Sequence, residues 1–135
     1  MGYAFPRKSK HAVAVRRGIS GFGLFATAPI KKRDFIIEYW GKIVSDDEAD
    51  KRGGKYLFQL ENGKTIDGST RKNIARYMNH SCKPNCEAEM DGKRIFIYAK
   101  RAIEPGEELT YHYGRGYFED HIGLARCRCS VHGRG

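Results

Sequence analysis

The chain is divided by turn-forming dipeptides that separate short runs of β-branched and aromatic residues. Asn62-Gly63 and Asp91-Gly92 each lie between two such runs, and Pro105-Gly106 precedes another. Asn-Gly and Asp-Gly pairs fit the positive φ of type I′ turns, and Pro-Gly fits positions two and three of a type II turn. The spacing therefore predicts a mainly β (α+β) fold made of short strands and tight hairpins.

Individual elements follow from the same patterns. A hairpin-like opening is predicted from Val13 and Val15, a turn over 18–23 and a strand over 24–26. One bent strand interrupted at Gly41 is predicted for 35–44. The remaining predicted strands are 56–60 with 64–66, 87–90 with 94–99, and 109–111.

Two helical segments interrupt the strands. Ser45-Asp-Asp-Glu48 is a capping box, which predicts a short helix that ends at Gly53-Gly54. Residues 73–78 are expected to form a single helical turn.

Length and cysteine spacing limit the class of protein. A chain of 135 residues is expected to form one domain with a core of its own. Cys127 and Cys129 are separated by one residue, which is poor geometry for disulfides, so metal ligation or plain thiols are favoured over two disulfide bridges. No apolar run of about 18 residues exists and residues 1–17 lack a secretory core, so we expect an intracellular protein, cytoplasmic or nuclear/nucleoid-associated, without a membrane span.

Positive charge is concentrated near the N-terminus. The net charge is +9, and residues 1–33 carry eight Lys or Arg and no acid. Such an arm is suited to nucleic acid, an acidic membrane or an acidic partner, and it is equally typical of a solvated terminus.

Two segments carry a family resemblance: Ile74-Ala-Arg-Tyr-Met-Asn-His-Ser-Cys-Lys-Pro-Asn-Cys86 and Glu108-Leu-Thr-Tyr-His-Tyr113. With Gly21-Phe-Gly-Leu-Phe25, Ile37-Glu-Tyr-Trp-Gly41, Tyr56-Leu-Phe-Gln-Leu60 and Cys127-Arg-Cys129, they resemble SET-domain protein lysine methyltransferases over residues 11–132. The resemblance implies a SET-domain β-clip fold of short curved sheets with a C-terminal pseudoknot. It also divides the chain into a basic arm (1–10), a SET domain (11–116) and a post-SET-like tail (117–135).

The implied activity is methyl transfer from S-adenosylmethionine to a lysine of a protein or peptide. A lysine with a pKa of about 10.4 is disfavoured in its neutral form by roughly 4 kcal/mol at neutral pH, and an apolar aromatic channel offsets this. By resemblance, Tyr39 and Tyr111 line that channel, and Tyr113 places its hydroxyl near the transferred methyl. Tyr rather than Phe at 111 implies mono- or dimethylation.

Cofactor binding is implied for a second set of residues. Glycines allow close approach of the backbone to a ligand, and an Asn amide both donates and accepts hydrogen bonds. The residues so implied are Gly21, Phe22, Gly23, Tyr56, Arg76, Asn79, His80 and Phe118, with His80 acting largely through its backbone.

A zinc site is also implied by the cysteine-bearing tail. Its expected ligands are Cys82, Cys127, Cys129 and His132, while Cys86 is not expected to bind metal. The alternative is that Cys82 is a buried thiol without metal.

Two positions depart from the family pattern. Lys83 stands where the family often has an acid, and His112 where it commonly has Asp, which makes a strongly basic histone-like substrate less suited to the groove. Two other functions stay open: a basic zinc-containing nucleic-acid binder, and an inactive SET scaffold that binds cofactor or peptide.

Overall fold

The computed structural model describes residues 6–9, 11–18, 21–53, 56–60 and 63–112. Within these ranges the chain forms three small sheets and one α-helix. The strands are β1 (Val13–Gly18), β2 (Gly21–Ala26), β3 (Phe35–Tyr39), β4 (Lys42–Ser45), β5 (Leu57–Gln59), β6 (Lys64–Asp67), β7 (Asn79–His80), β8 (Cys86–Asp91), β9 (Arg94–Ala99) and β10 (Glu108–Tyr111). Their order is β1-β2-β10-β7 in the first sheet, β3-β9-β8 in the second and β4-β6-β5 in the third. The predicted mainly β fold is confirmed.

The two helical segments form where the sequence predicts them. Helix α1 (Asp46–Arg52) begins after Ser45, whose hydroxyl accepts a hydrogen bond from the Glu48 backbone N–H, and ends at Gly53, with φ of 60°. Ile74–Tyr77 forms a single 3₁₀ turn, shorter than the predicted 73–78. No helix of the described residues is long and apolar enough to cross a membrane.

The hairpin predictions are correct in pairing but wrong in one turn type. β8 and β9 pair up to Asp91 and Arg94, so the turn consists of Gly92 and Lys93. Gly92 has a φ of 63°, whereas Lys93 is not in the positive region, which is the pattern of a type II′ rather than a type I′ turn. Gly106 has the positive φ that a type II turn requires, and the Glu107 N–H donates to the Glu104 carbonyl at 3.2 Å.

Two strand predictions need correction. Residues 35–44 are not one bent strand, because β3 pairs with β9 while β4 pairs with β6 in another sheet. The chain breaks at Gly41, whose missing side chain leaves room for the Asp67 carbonyl in direct contact. The predicted turn over 18–23 is also too long, because Gly21 already pairs with Gly18 and begins β2.

The last described strand lies in the interior of its sheet. β10 is antiparallel to β2 on one side and parallel to β7 on the other. The buried Asn85 side chain fixes it, since its amide donates to the Glu108 carbonyl at 2.8 Å and its oxygen accepts from the Thr110 N–H at 2.9 Å. The start of the chain is thereby joined to the segment that contains Asn79 and His80.

Candidate active site

Three aromatic rings from three strands form a row in the interior. Phe58 lies between Tyr39, at 5.4 Å between ring centroids, and Tyr111, at 6.2 Å and nearly parallel. Tyr39 and Tyr111 are only 4% and 6% exposed. This aromatic row brings together the two tyrosines predicted to line the lysine channel, and it adds Phe58, to which the sequence reasoning assigned no role.

Gly68 makes room for one end of the row. A side-chain carbon at this position would lie 2.5 Å from the Tyr39 hydroxyl oxygen and 2.6 Å from two ring carbons. The Gly68 N–H donates to the Tyr56 carbonyl at 2.7 Å, and its carbonyl accepts from the buried Asn73 amide at 3.0 Å. Tyr39 therefore packs against backbone that hydrogen bonds hold in place.

A second group of residues surrounds Asn79, and we call it the Asn79 face. The Asn79 amide donates to the Phe22 carbonyl at 2.9 Å and to the Glu108 carboxylate at 2.7 Å. That carboxylate lies where a side chain on Gly23 would be. The members of the face are Gly21, Phe22, Gly23, Tyr56, Arg76, Tyr77, Asn79 and Glu108.

Arg76 joins the remaining aromatic members of the face. Its guanidinium lies over the Tyr56 ring at 4.9 Å and over the Tyr77 ring at 4.7 Å. Its terminal nitrogens donate to the Ser69 carbonyl and the Tyr77 hydroxyl, both at 2.7 Å. Its Nε is buried without a hydrogen-bond partner, and such an orphaned donor is costly unless a ligand satisfies it.

The aromatic row and the Asn79 face meet along the parallel pair of strands. Thr110 is the register partner of Asn79, and Tyr111 is the partner of His80. One step along β10 therefore leads from the Asn79 face to the aromatic row. A small polar ligand on the face and an alkyl amine between the rings would thus be neighbours.

His80 and Cys82 point toward each other rather than into separate environments. The His80 Nε2 lies 3.3 Å from the Cys82 Sγ, and the His80 and His112 rings make an edge contact at 4.6 Å. Within the described part of the chain, Cys82 and Cys86 form no disulfide. Burial raises the pKa of the Cys86 thiol to about 12, which agrees with its exclusion from metal binding, because the thiolate is the ligand form.

The structure describes only part of the predicted site. Outside the described residues lie the tail over 117–135, the predicted C-terminal pseudoknot, and the site residues Tyr113, Phe118, Cys127, Cys129 and His132. The predicted residues within the described ranges separate into the aromatic row, the Asn79 face and the His80–Cys82 pair. Phe58, Tyr77 and Glu108 were not singled out, although all three belong to segments that carry the family resemblance.

The family match covers most of the described domain. A family model for the SET domain matches residues 21–114, which include every residue of the aromatic row and of the Asn79 face. The chain belongs to the SET-domain family.

Its relatives are considerably longer proteins. The chain is 38% identical to histone-lysine N-methyltransferase ATXR7 of Arabidopsis thaliana, over 92% of this chain and 9% of the relative. It is 41% identical to an H3 lysine-4 specific histone-lysine N-methyltransferase of Yarrowia lipolytica, over 91% and 12%, and 35% identical to ATX2 of Arabidopsis thaliana, over 93% and 14%. The chain thus spans a small fraction of the length of each.

Proposed function

We propose that this chain is a protein-lysine N-methyltransferase that uses S-adenosylmethionine. The observation that carries the proposal is the adjacency of a buried aromatic row and a polar face with an unsatisfied donor, joined by the β7–β10 pair. The relatives, named as histone-lysine methyltransferases, support it. A protein or peptide that presents a lysine is the substrate.

The aromatic row prepares the substrate amine. S-adenosylmethionine, when bound, supplies an electrophilic methyl group on a sulfonium. The lysine must first lose a proton, and burial among Tyr39, Phe58 and Tyr111 disfavours its ammonium form and so lowers its pKa. Exclusion of water between the rings also protects the methyl donor from competing hydrolysis.

The Asn79 face is suited to a zwitterionic cofactor. Asn79 fixes the Phe22 carbonyl, so the exposed backbone of Gly21 and Phe22 is held in place beside it. The Arg76 Nε is an unused donor for an anionic group, and a carboxylate is the anionic group of the amino-acid part of S-adenosylmethionine. Phe22, 54% exposed, offers an apolar surface beside it.

The degree of methylation forms a finer part of the proposal. Tyr111 is at one end of the row, and we propose that its hydroxyl reduces the space in which a methylated amine can turn, which favours mono- or dimethylation. Tyr111→Phe keeps the stacking on Phe58 and removes the hydroxyl, so it should shift the product toward trimethyllysine. Mass spectrometry of a peptide time course measures this, and trimethyllysine as the main wild-type product would contradict the proposal.

Domain boundaries, tail and partners are proposed on the same basis. We propose that residues 1–10 form an arm, 11–116 the SET domain and 117–135 a tail. In the tail, Cys127, Cys129 and His132 are candidate metal ligands. Part of the arm contacts the domain, because the Arg7 N–H donates to Glu38 at 2.7 Å and its guanidinium lies 3.9 Å above the Phe35 ring. An acidic or nucleic-acid partner for the other N-terminal cations, and an intracellular location, remain proposals.

The deciding experiment follows methyl transfer with labelled S-adenosylmethionine and basic proteins, histones included. Wild type should transfer label to lysine, and Tyr113→Phe should lose most of the transfer while it still binds cofactor. Tyr98→Phe is the matched control, because Tyr98 contacts Phe35 on β3 and no member of the row, and it should behave as wild type. Cofactor binding without transfer by the wild type would identify an inactive scaffold, and the absence of cofactor binding would refute the proposal.

A further inference from the structure

Two outer strands of the sheets each expose a large apolar side chain. Val15 of β1 is 37% exposed and Met90 of β8 is 40% exposed. Their register partners, Leu24 and Ile95, are 0% and 1% exposed, so both exposed side chains lie on the core-facing side of their sheets. The other exposed large hydrophobic side chain among the described residues belongs to the Asn79 face. At these two strands the core of the protein therefore extends to the surface.

Both strands also have an open backbone edge. Among the described residues, β1 is paired only with β2, and β8 is paired only with β9. Both strands are six residues long. The N–H and C=O groups along such an edge can pair with a strand of another molecule.

The β1 and β8 edges carry opposite charges. β1 presents Arg16 and Arg17, and β8 presents Glu87, Glu89 and Asp91, all of them exposed. The ion pairs found within the described ranges involve none of these five side chains. Like charges directly opposite each other are destabilising in a sheet, and opposite charges are stabilising. The charges thus oppose pairing of either edge with itself and favour pairing of β1 with β8.

The backbone of the two edges fits one register. Every second residue of an antiparallel strand directs its N–H and C=O groups away from its partner. Two hydrogen bonds beyond the paired strands fix this alternation, from the Thr27 N–H to the Ala12 carbonyl at 3.1 Å and from the Lys100 N–H to the Asn85 carbonyl at 2.8 Å. By this alternation, Val15 and Met90 both direct their backbone groups outward. Antiparallel pairing of Val15 with Met90 also places Arg16 opposite Glu89.

We propose that this chain associates with a second copy of itself, with β1 of one copy antiparallel to β8 of the other. Val15 lies opposite Met90, and Arg16 lies opposite Glu89. The contact continues the first sheet of one copy into the second sheet of the next, and it covers both exposed apolar side chains. Each copy carries both edges, so the contact is heterologous and extends beyond two copies unless it closes. The association does not depend on the methyltransferase activity.

Sedimentation velocity of the full-length chain from about 1 μM to about 1 mM tests the contact, because small interfaces bind in this range. Wild type should associate as concentration rises. Arg16→Glu and Glu89→Arg should each weaken association about tenfold, since each places like charges opposite each other. Lys31→Glu, a charge reversal of the same size at an exposed position between β2 and β3, is the matched control and should associate as wild type. A wild type that stays monomeric, or reversed variants that associate normally, would overturn the proposal.

Mixing the two variants separates a lost contact from a lost fold. In an equimolar mixture of Arg16→Glu with Glu89→Arg, every contact between unlike chains again joins opposite charges. Association of the mixture should therefore return to near the wild-type strength, with circular dichroism as the check that each variant is folded. Folded variants that fail to associate when mixed would contradict the pairing of these two positions.

Cross-linking tests the register. Val15→Cys mixed with Met90→Cys should form a disulfide-linked dimer under mild oxidation, because opposite Cα atoms about 5.5 Å apart suit a disulfide. Val15→Cys mixed with Glu87→Cys, whose side chain lies on the other face of β8, should give no more dimer than the native thiols of the wild type. Equal yields from the two mixtures would refute the register.

A segment rich in Lys and Arg from another protein is the competing occupant of the β8 edge. Fluorescence anisotropy with a labelled oligoarginine peptide tests it. Binding that Glu89→Arg abolishes, by a wild type that does not associate with itself, would assign the edge to a basic partner and overturn the proposal. Self-association that a large excess of the peptide does not reduce would support the second copy.

Discussion

The aromatic row and the Asn79 face differ in how far their side chains are buried and paired within the protein. Tyr39 and Tyr111 are 4% and 6% exposed and pack on Phe58, so the row is buried by the protein's own residues. On the Asn79 face, Phe22 is 54% exposed and the Arg76 Nε lacks a hydrogen-bond partner. The aromatic row is therefore formed by the protein itself, whereas the Asn79 face leaves an exposed ring and a hydrogen-bond donor for a ligand to contact.

The largest effect is expected from Phe58→Ala, which removes the centre of the row. Loss of the half-buried ring should cost about 3 kcal/mol of unfolding free energy, or roughly 10 °C in Tm. The two tyrosines would lose their common support, and misplacement of about 1 Å should slow methyl transfer about a hundredfold. Cofactor affinity, measured by calorimetry, should stay at its wild-type value. A parallel loss of cofactor affinity would show that the two regions are not separable, and Phe58→Leu serves as the milder control.

Asn79→Ala should have the opposite pattern. It removes hydrogen bonds to the Phe22 carbonyl and the Glu108 carboxylate, at a cost of about 2 kcal/mol. That cost falls on the free energy of unfolding; cofactor affinity should fall roughly tenfold, about 1.4 kcal/mol, because the Phe22 carbonyl loses its fixed position, and calorimetry checks this. Gln59→Ala, which removes an exposed amide from β5, is the control and should change nothing. Unaltered cofactor binding by Asn79→Ala would remove the basis for assigning this face to the cofactor.

Two glycine substitutions compare the regions with a single added methyl group each. In Gly68→Ala the new carbon would meet the Tyr39 ring, so transfer should fall about tenfold with normal cofactor affinity. In Gly21→Ala no atom is met within 4 Å, but the φ of 90° is strained for alanine by about 1–2 kcal/mol. That strain should lower cofactor affinity about tenfold. Steady-state kinetics measures methyl transfer, and binding measurements give cofactor affinity. If both variants lost the same one of these two properties, the comparison between the regions would be weakened.

The smallest effect is expected for the chemical reactivity of the Cys82 and Cys86 thiols. Because burial raises the Cys86 pKa to about 12, this thiol should stay protonated and unreactive between about pH 7 and 9. Cys82 is part-exposed, so iodoacetamide should alkylate it faster than Cys86 throughout this range. Peptide mass spectrometry follows both residues. Equal alkylation of the two cysteines in folded protein would show that Cys86 is not enclosed beneath β10.

Local features of the fold were predictable from the sequence. The Ser45 cap and the Gly53 terminus of α1 follow from residue types alone, and β9 has the predicted bounds because a β-branched and aromatic run follows the Asp91-Gly92 turn signal. The break at Gly41 was not predictable as a change of sheet, since it depends on the distant Asp67 carbonyl. The two-residue strand β7 carries no periodic pattern, so its parallel pairing with β10 could not be read from local sequence.

Family motifs marked several residues that the structure then groups together. Tyr39 and Tyr111, chosen by resemblance, lie in the aromatic row and Asn79 lies in the Asn79 face, while their roles stay predictions. Phe58 was missed because an aromatic residue in a strand is ordinarily a packing residue, and only the stacked geometry distinguishes it. The contact between Glu108 and Gly23 was missed because it joins positions that no spacing rule connects.

The interior position of β10 has a consequence for biosynthesis. A nascent chain that has emerged only as far as Ala99 already contains every strand of the second and third sheets, but it lacks the strand between β2 and β7. Until Glu108–Tyr111 arrives, the exposed edge of β2 is open to wrong partners, and such edges favour aggregation. The aromatic row and the Asn79 face are thus completed together, once β10 has been translated, rather than one after the other.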